Sequence, residues 1–109
     1  MRTLRFIVNG QIIKPDPNCD FTGLVPGTSG YLQAEFSFSE EWRNCVKVAG
    51  FYSMLGKEYE PRLLKDGKTC MIPAEALKRK SFKMQLAGKR GEYEIKTNKV
   101  TVNQDGGNA

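Results

Sequence analysis

A chain of 109 residues, 39% of them hydrophobic, is long enough for one domain with a single core and needs no metal or disulfide to support it. It has no histidine and three cysteines, Cys19, Cys45 and Cys70, which excludes Ser-His and Cys-His nucleophile pairs and the usual zinc sites. The net charge of +5 is local: Lys78 to Lys99 holds eight basic residues against Glu92 and Glu94, +6, and the remainder is close to neutral.

In chain order, Leu4, Phe6 and Val8 alternate with Arg5 and Ile7, the period of a strand with one buried face. Asn9-Gly10 offers a tight turn into a second strand, Gln11 to Lys14. Lys14 to Gly30 then carries three prolines and three glycines and excludes regular structure. Loops of this length are uncommon in compact domains. The plain reading is an ordered connector pinned by Phe21, Leu24 and Val25.

Tyr31 to Phe38 alternates again, with Leu32, Ala34, Phe36 and Phe38 on one side, and Ser39-Glu40-Glu41 turns the chain into the only tryptophan, Trp42. Phe36, Phe38 and Trp42 are therefore expected to anchor the core. Cys45 to Tyr52 reads as a strand with a bulge at Gly50, and Lys57 to Leu64 as its return. Asp66-Gly67 is a hairpin signal, because both residues tolerate positive φ. It leads into Thr69 to Ile72. Pro73 to Lys78 reads as one short helical turn, with proline first and lysine last. Phe82, Met84 and Leu86 form the next strand. Gly88 to Gly91 is read as its turn, and Tyr93 and Ile95 are expected to face inward on the way back. Val100 and Val102 close the last strand.

The sum is an all-β domain over residues 1–103, an antiparallel immunoglobulin-like β-sandwich of about seven or eight strands with one short helical turn. Residues 104–109 are expected to be a flexible C-terminal tail. Cys45 and Cys70 read as small core residues, and Cys19 as a candidate free thiol in a loop. No run approaches membrane-spanning length, so no membrane partner is expected, and synthesis in a reducing cytoplasm is.

No catalytic group, cofactor site or metal site emerges. Glu40-Glu41 are neighbours whose side chains diverge on a strand, and Glu58/Glu60 read as solvated carboxylates. Gly23 to Gly30 lacks the Gly-Lys-Ser/Thr ending of a phosphate loop. An enzyme is not expected. Lys78, Arg79, Lys80, Lys89 and Arg90 are instead expected to form a basic edge at a helix end and a hairpin tip, close together and exposed. Such an edge suits an acidic protein surface, a lipid headgroup or nucleic acid. Nucleic acid is the weaker reading, because Phe82 and Tyr93 fall on the apolar phase and leave no stacking platform.

The series Phe36-Ser37-Phe38-Ser39-Glu40-Glu41-Trp42, then Val46-Lys47-Val48-Ala49-Gly50-Phe51, then Asp66-Gly67-Lys68-Thr69-Cys70-Met71-Ile72-Pro73-Ala74-Glu75-Ala76-Leu77 resembles a small β-sandwich domain of tailed bacteriophages and prophages of Gram-positive hosts. The resemblance runs from about Tyr31 to Val102. It implies a virion structural or accessory protein, made in the host bacterial cytoplasm and attached to capsid or tail proteins. On that basis the basic edge is expected to steer docking, with Leu24 and Val25 supplying affinity. The alternatives are a phage-encoded inhibitor of a host defence or regulatory protein and a nucleic-acid-binding β module. The oligomeric state stays open, a homo-oligomer included.

Overall fold

The computed structural model describes residues 1–104. Nine strands build two facing sheets: β1 (Arg2–Asn9), β2 (Ile12–Pro15), β3 (Leu32–Phe38), β4 (Val46–Tyr52), β5 (Arg62–Leu63), β6 (Thr69–Met71), β7 (Ser81–Arg90), β8 (Tyr93–Lys96) and β9 (Val100–Asn103). The first sheet runs β2-β1-β3-β6. The second runs β5-β4-β7, and the far side of β7 is shared by β9 along its first half and β8 along its second. The all-β sandwich expected from the sequence is present, with nine strands and two short helical turns, Glu40–Trp42 and Ala76–Lys78, among the described residues.

Gly10, at φ +59, lets β1 fold back into β2. β2 stops at Pro15, opposite Phe6, because Pro15 and Pro17 have no N–H to continue a ladder. The chain still follows β1. Asp16 N–H donates to Arg5 O at 2.9 Å, and the Arg2 guanidinium donates to the carbonyls of Asp20 and Thr22 at 2.9 and 2.6 Å. It then rounds the start of β1 and enters β3 on the other side, so β1 and β3 pair in parallel, from Arg2 opposite Leu32 to Val8 opposite Phe38. The remaining pairs are antiparallel. The long connector is this passage. It is ordered, held by Phe21 edge-on to Phe6 (5.4 Å between ring centroids), by buried Leu24 and by the Gly27 N–H on Leu77 O at 2.7 Å. Val25 is exposed and pins nothing.

An aromatic series continues along the inner face of the first sheet. Phe6 stacks on Phe36 at 5.6 Å, Phe36 meets Phe38 at 6.0 Å, and Phe38 meets Trp42 at 5.2 Å. Trp42 is fully buried, and its indole N–H donates to Gly10 O at 2.8 Å. Across the core it lies against Gly88 of β7. A Cβ there would come within 2.8 Å of two ring carbons and 3.2 Å of the Cys45 Cβ. The missing side chain of Gly88 is the space that Trp42 fills.

Several expectations change. β4 has no bulge: its register with β7 is unbroken from Val46–Lys89 to Tyr52–Lys83, and Gly50 serves instead to make room for the Tyr52 ring. The return after β4 is irregular, reduced to Arg62–Leu63 and a bridge between Tyr52 and Glu58. Asp66 and Gly67 do turn with positive φ, but they carry the chain from the second sheet to the first, since β5 pairs with β4 and β6 with β3. β7 reaches Arg90, so the hairpin tip is Gly91-Glu92 rather than Gly88 to Gly91. Tyr93 shares the inner phase with Ile95, which packs against the core, but lies past the core's end: it is 38% exposed, with its hydroxyl donating to Glu41 O at 2.8 Å. Gln104 is not tail: it is fully buried and donates from Nε2 to the carbonyls of Leu77 and Arg79 at 3.1 and 2.9 Å. The rest of the expected tail, 105–109, lies outside the described residues.

One contact that laces the sheets has no pattern in the sequence. Asn98 presents Oδ1 to the Ile13 N–H at 2.8 Å, and its own N–H donates to Gln11 O at 3.0 Å. A side-chain amide thereby completes the margin of β2.

Trp42→Ala should cost about 3–5 kcal/mol, the range for a large aromatic truncation. Gly88→Ala should cost about 1–3 kcal/mol by overpacking against the ring. In the Trp42→Ala background the Gly88 substitution should cost far less, since the cavity accepts the new methyl. Urea titration of the four chains measures this coupling, and additive losses would contradict the contact.

All three cysteines are free, and Cys45 and Cys70 are buried. Burial pushes the Cys70 thiol from 9.0 up to about 12, against a small opposing pull from Arg62. Its folded value is the raised one, so its contribution to stability is complete below about pH 9 and is lost as pH climbs toward 12. Cys70→Ala should flatten the stability–pH curve in that window. In the native protein Cys45 and Cys70 should alkylate only after denaturant is added, with Cys19 the first to react, as mass spectrometry of a time course would show.

Candidate functional site

Alternation along β4 and β7 decides which side chains face away from the core. On β7, Phe82, Met84 and Leu86 point inward and Ser81, Lys83, Gln85, Ala87 and Lys89 point out. On β4, Ala49 and Phe51 are buried and Val46, Val48, Gly50 and Tyr52 lie outside. Cross-strand register then arranges the outer face in rows. Leu63, Val48, Ala87 and Lys96 form one row across four strands, and Val46, Lys89 and Glu94 form the next.

The centre of this face is apolar. Leu63 is 65% exposed and Val46 62%, and Val48 and Ala87 lie between them. A shallow depression of about 490 Å³ opens over Val46, Val48, Ala87, Lys89 and Glu94. Lys89 and Glu94 line it and Lys96 stands in the next row, while Lys83 and Lys99 lie further along the face beside Tyr52 and Glu58; across the face these are four lysines and two carboxylates, four minus two, +2. Lys99 reaches over the face and holds its ammonium 4.1 Å above the centre of the Tyr52 ring. Tyr52 lies flat because Gly50 has no Cβ, which would sit 2.8 Å from the hydroxyl oxygen. Burial, then the nearby Glu58 carboxylate, holds the Tyr52 hydroxyl above its ordinary range, so it is neutral at physiological pH.

The basic residues expected at one edge are distributed differently. Lys78, Arg79 and Lys80 are exposed at the start of β7, beside the turn that carries Met54 and Leu55. Lys89 and Arg90 stand at its far end, separated from Lys80 by about 30 Å of extended chain. The two clusters therefore do not meet. What joins them is the outer face of the second sheet, lined by Lys83, Lys96 and Lys99. Arg90 is engaged in structure: its guanidinium donates to Arg43 O and lies 4.5 Å over the Tyr93 ring, clasping the segment after Trp42. Leu24 is 2% exposed and occupied by the core, so it is unavailable to a partner; Val25 is exposed. The anchors Phe36 and Trp42 are buried and Phe38 half-buried, in contact along one line.

The apolar centre was the part missed from the sequence. Cys45 to Tyr52 reads as a strand, and Val46 to Phe51 carries apolar residues on both phases, broken by Lys47, so the sequence leaves open which phase faces the core. Ala49 and Phe51 take the inner phase, which leaves the two valines outside. Two apolar phases in one strand were the available signal.

The carboxylate pairs have ordinary partners. Glu40 holds Arg43 at 2.9 Å, and Glu60 approaches Arg62 at 4.0 Å. A hydrogen bond from Ser39, then one from its own backbone, draws the Glu41 carboxyl below its usual range. Among the described residues, no three of His, Cys, Asp and Glu gather as a metal-binding group. The face can bind by contact and charge.

Compared with known proteins, the chain matches no family model, no curated protein and no solved structure.

Proposed function

We propose that this chain is a non-catalytic docking protein that binds an acidic protein surface through the outer face of its second sheet, as an accessory component of a tailed-phage virion on capsid or tail. The observation that carries the docking reading is the apolar cluster of Val46, Val48, Leu63 and Ala87 on a face whose charged residues are mostly lysines. An apolar centre with a polar, charged rim is the anatomy of a protein interface, and the rim steers an oppositely charged partner. The virion reading is supported by the sequence resemblance over Tyr31 to Val102, whose shared positions are the core and turn residues of this sandwich. A nucleic-acid partner is less favoured by the face: Tyr52, its aromatic residue, is folded onto Gly50 and covered by Lys99, so it offers bases no stacking surface.

Co-sedimentation with particles lacking the protein tests this reading, at low and high salt. Val46→Asp should weaken binding roughly tenfold or more by placing a charge at the apolar centre. Reversing Lys83 and Lys89 to glutamate should slow association and remove most of its salt dependence. Both variants should melt like the wild type, because exposed charges contribute little to stability. Equal binding by all three chains would sink the sheet-face assignment. Absence of binding by the wild type would remove the virion role and favour a host protein as the target.

A further inference from the structure

The margins of a sheet are where unpaired backbone invites another strand. β2 is completed by Asn98, and β5 is two residues long. The turn after β5 also bridges Lys65 to Thr69 of β6. β6, β8 and β9 each pair with one strand, and of these β8 is the most exposed, with Tyr93, Glu94 and Lys96 all exposed.

The direction of its free groups follows from one hydrogen bond. Thr97 N–H donates to Leu86 O of β7 at 3.0 Å. Backbone groups alternate sides along a strand, so those of Ile95 and Tyr93 point into the sheet and those of Glu94 and Lys96 point out. The Gln11 side chain agrees, reaching Lys96 O from the outer side at 3.2 Å. The side chains of Glu94 and Lys96 both lie on the outer face of the sheet, beside Lys89 and Ala87.

We propose that two copies of this chain join through β8, antiparallel, about a two-fold axis at Ile95. In that register the outward groups of Glu94 meet those of Lys96 of the second copy, and the reverse, closing four N–H···O bonds; Glu94 N–H of the second copy takes the place of the Gln11 amide on Lys96 O. The same register sets each Glu94 carboxylate opposite a Lys96 ammonium on one face of the joined sheet. On the other face the two Ile95 side chains meet. Ile95 is only half-buried at the margin of the core, and this contact covers it.

Charge selects the register. Sliding the pairing by two residues centres it on Glu94 against Glu94 or Lys96 against Lys96, like charges directly opposite. Sliding by one presents groups already bonded to β7. The occupant is a second copy because the strand is complementary to its own reverse. The two outer faces then become one continuous surface, so a particle with repeated sites would be held by two linked contacts.

Sedimentation equilibrium over a wide concentration range decides it, with wild type, Glu94→Lys, Lys96→Glu and the double swap. The wild type should dimerise. Each single reversal sets like charges opposite in both symmetry-related pairs and should weaken the dimer roughly tenfold or more. The double swap should restore it. A wild type that stays monomeric up to the highest concentration, a dimer indifferent to the single reversals, or a double swap that stays as weak as the singles would each overturn the proposal.

Discussion

The packing of Trp42 on Gly88 is the contact on which the rest of this fold depends. The indole reaches across from the turn after β3, is held by its N–H on Gly10 O, and rests where β7 has no side chain. Three segments distant in sequence are fixed at once: the β1–β2 turn, the end of β3 and the second half of β7. Arg90 and Tyr93 then clasp the residues around Trp42 from outside. The interaction is specific because it joins the largest side chain to the smallest. A void or an added methyl on either side destroys the fit, since protein interiors are packed like crystals.

At the opposite end Phe51 and Phe82 meet at 6.3 Å between ring centroids, and a buried amide stands where the first end has the indole. Leu77 and Leu24 fill the core there, and Gln104 ties the helical turn Ala76–Lys78 to the last strand through two carbonyls. The long connector belongs to this end as well. Its length takes the chain around β1 so that β3 can pair in parallel, and a parallel neighbour cannot be reached by a two-residue turn. A Pro- and Gly-rich segment that looks like a binding loop in the sequence is thus a structural crossing, anchored by Arg2, Phe21 and Leu24.

With Trp42 locking β7, the alternation of that ten-residue strand becomes the source of the outer surface. Its inner residues are apolar without interruption, and its outer residues include Lys83 and Lys89. β4 and β5 contribute valines and a leucine beside them, and β8 and the chain after it contribute Lys96 and Lys99. Apolar contact supplies short-range affinity and the lysines supply long-range attraction, which falls off over about 8 Å at physiological salt. A face of this composition favours an acidic partner that also offers apolar contact. The β8 margin, with one acid and one base two residues apart, carries different chemistry: it matches itself.

Local pattern decided the elements. Period-two alternation marked most of the strands, Asp66-Gly67 its turn, Pro73 to Lys78 a helical turn and Trp42 the anchor, because each depends on neighbours within a few residues. Tertiary structure decided whatever depends on which strands meet. The parallel β1–β3 pair, the passage of Asp66-Gly67 between sheets, the role of Asn98 and the need for glycine at position 88 are long-range facts with no local period. The basic residues show the difference most clearly. Lys78 to Arg90 is a charge run in the sequence, but an extended strand sends its charges to one face and its two ends, about 3.3 Å further per residue. Only the pairing of β7 with β4, β8 and β9 set Val46, Val48 and Leu63 among those lysines and turned a charge run into a surface.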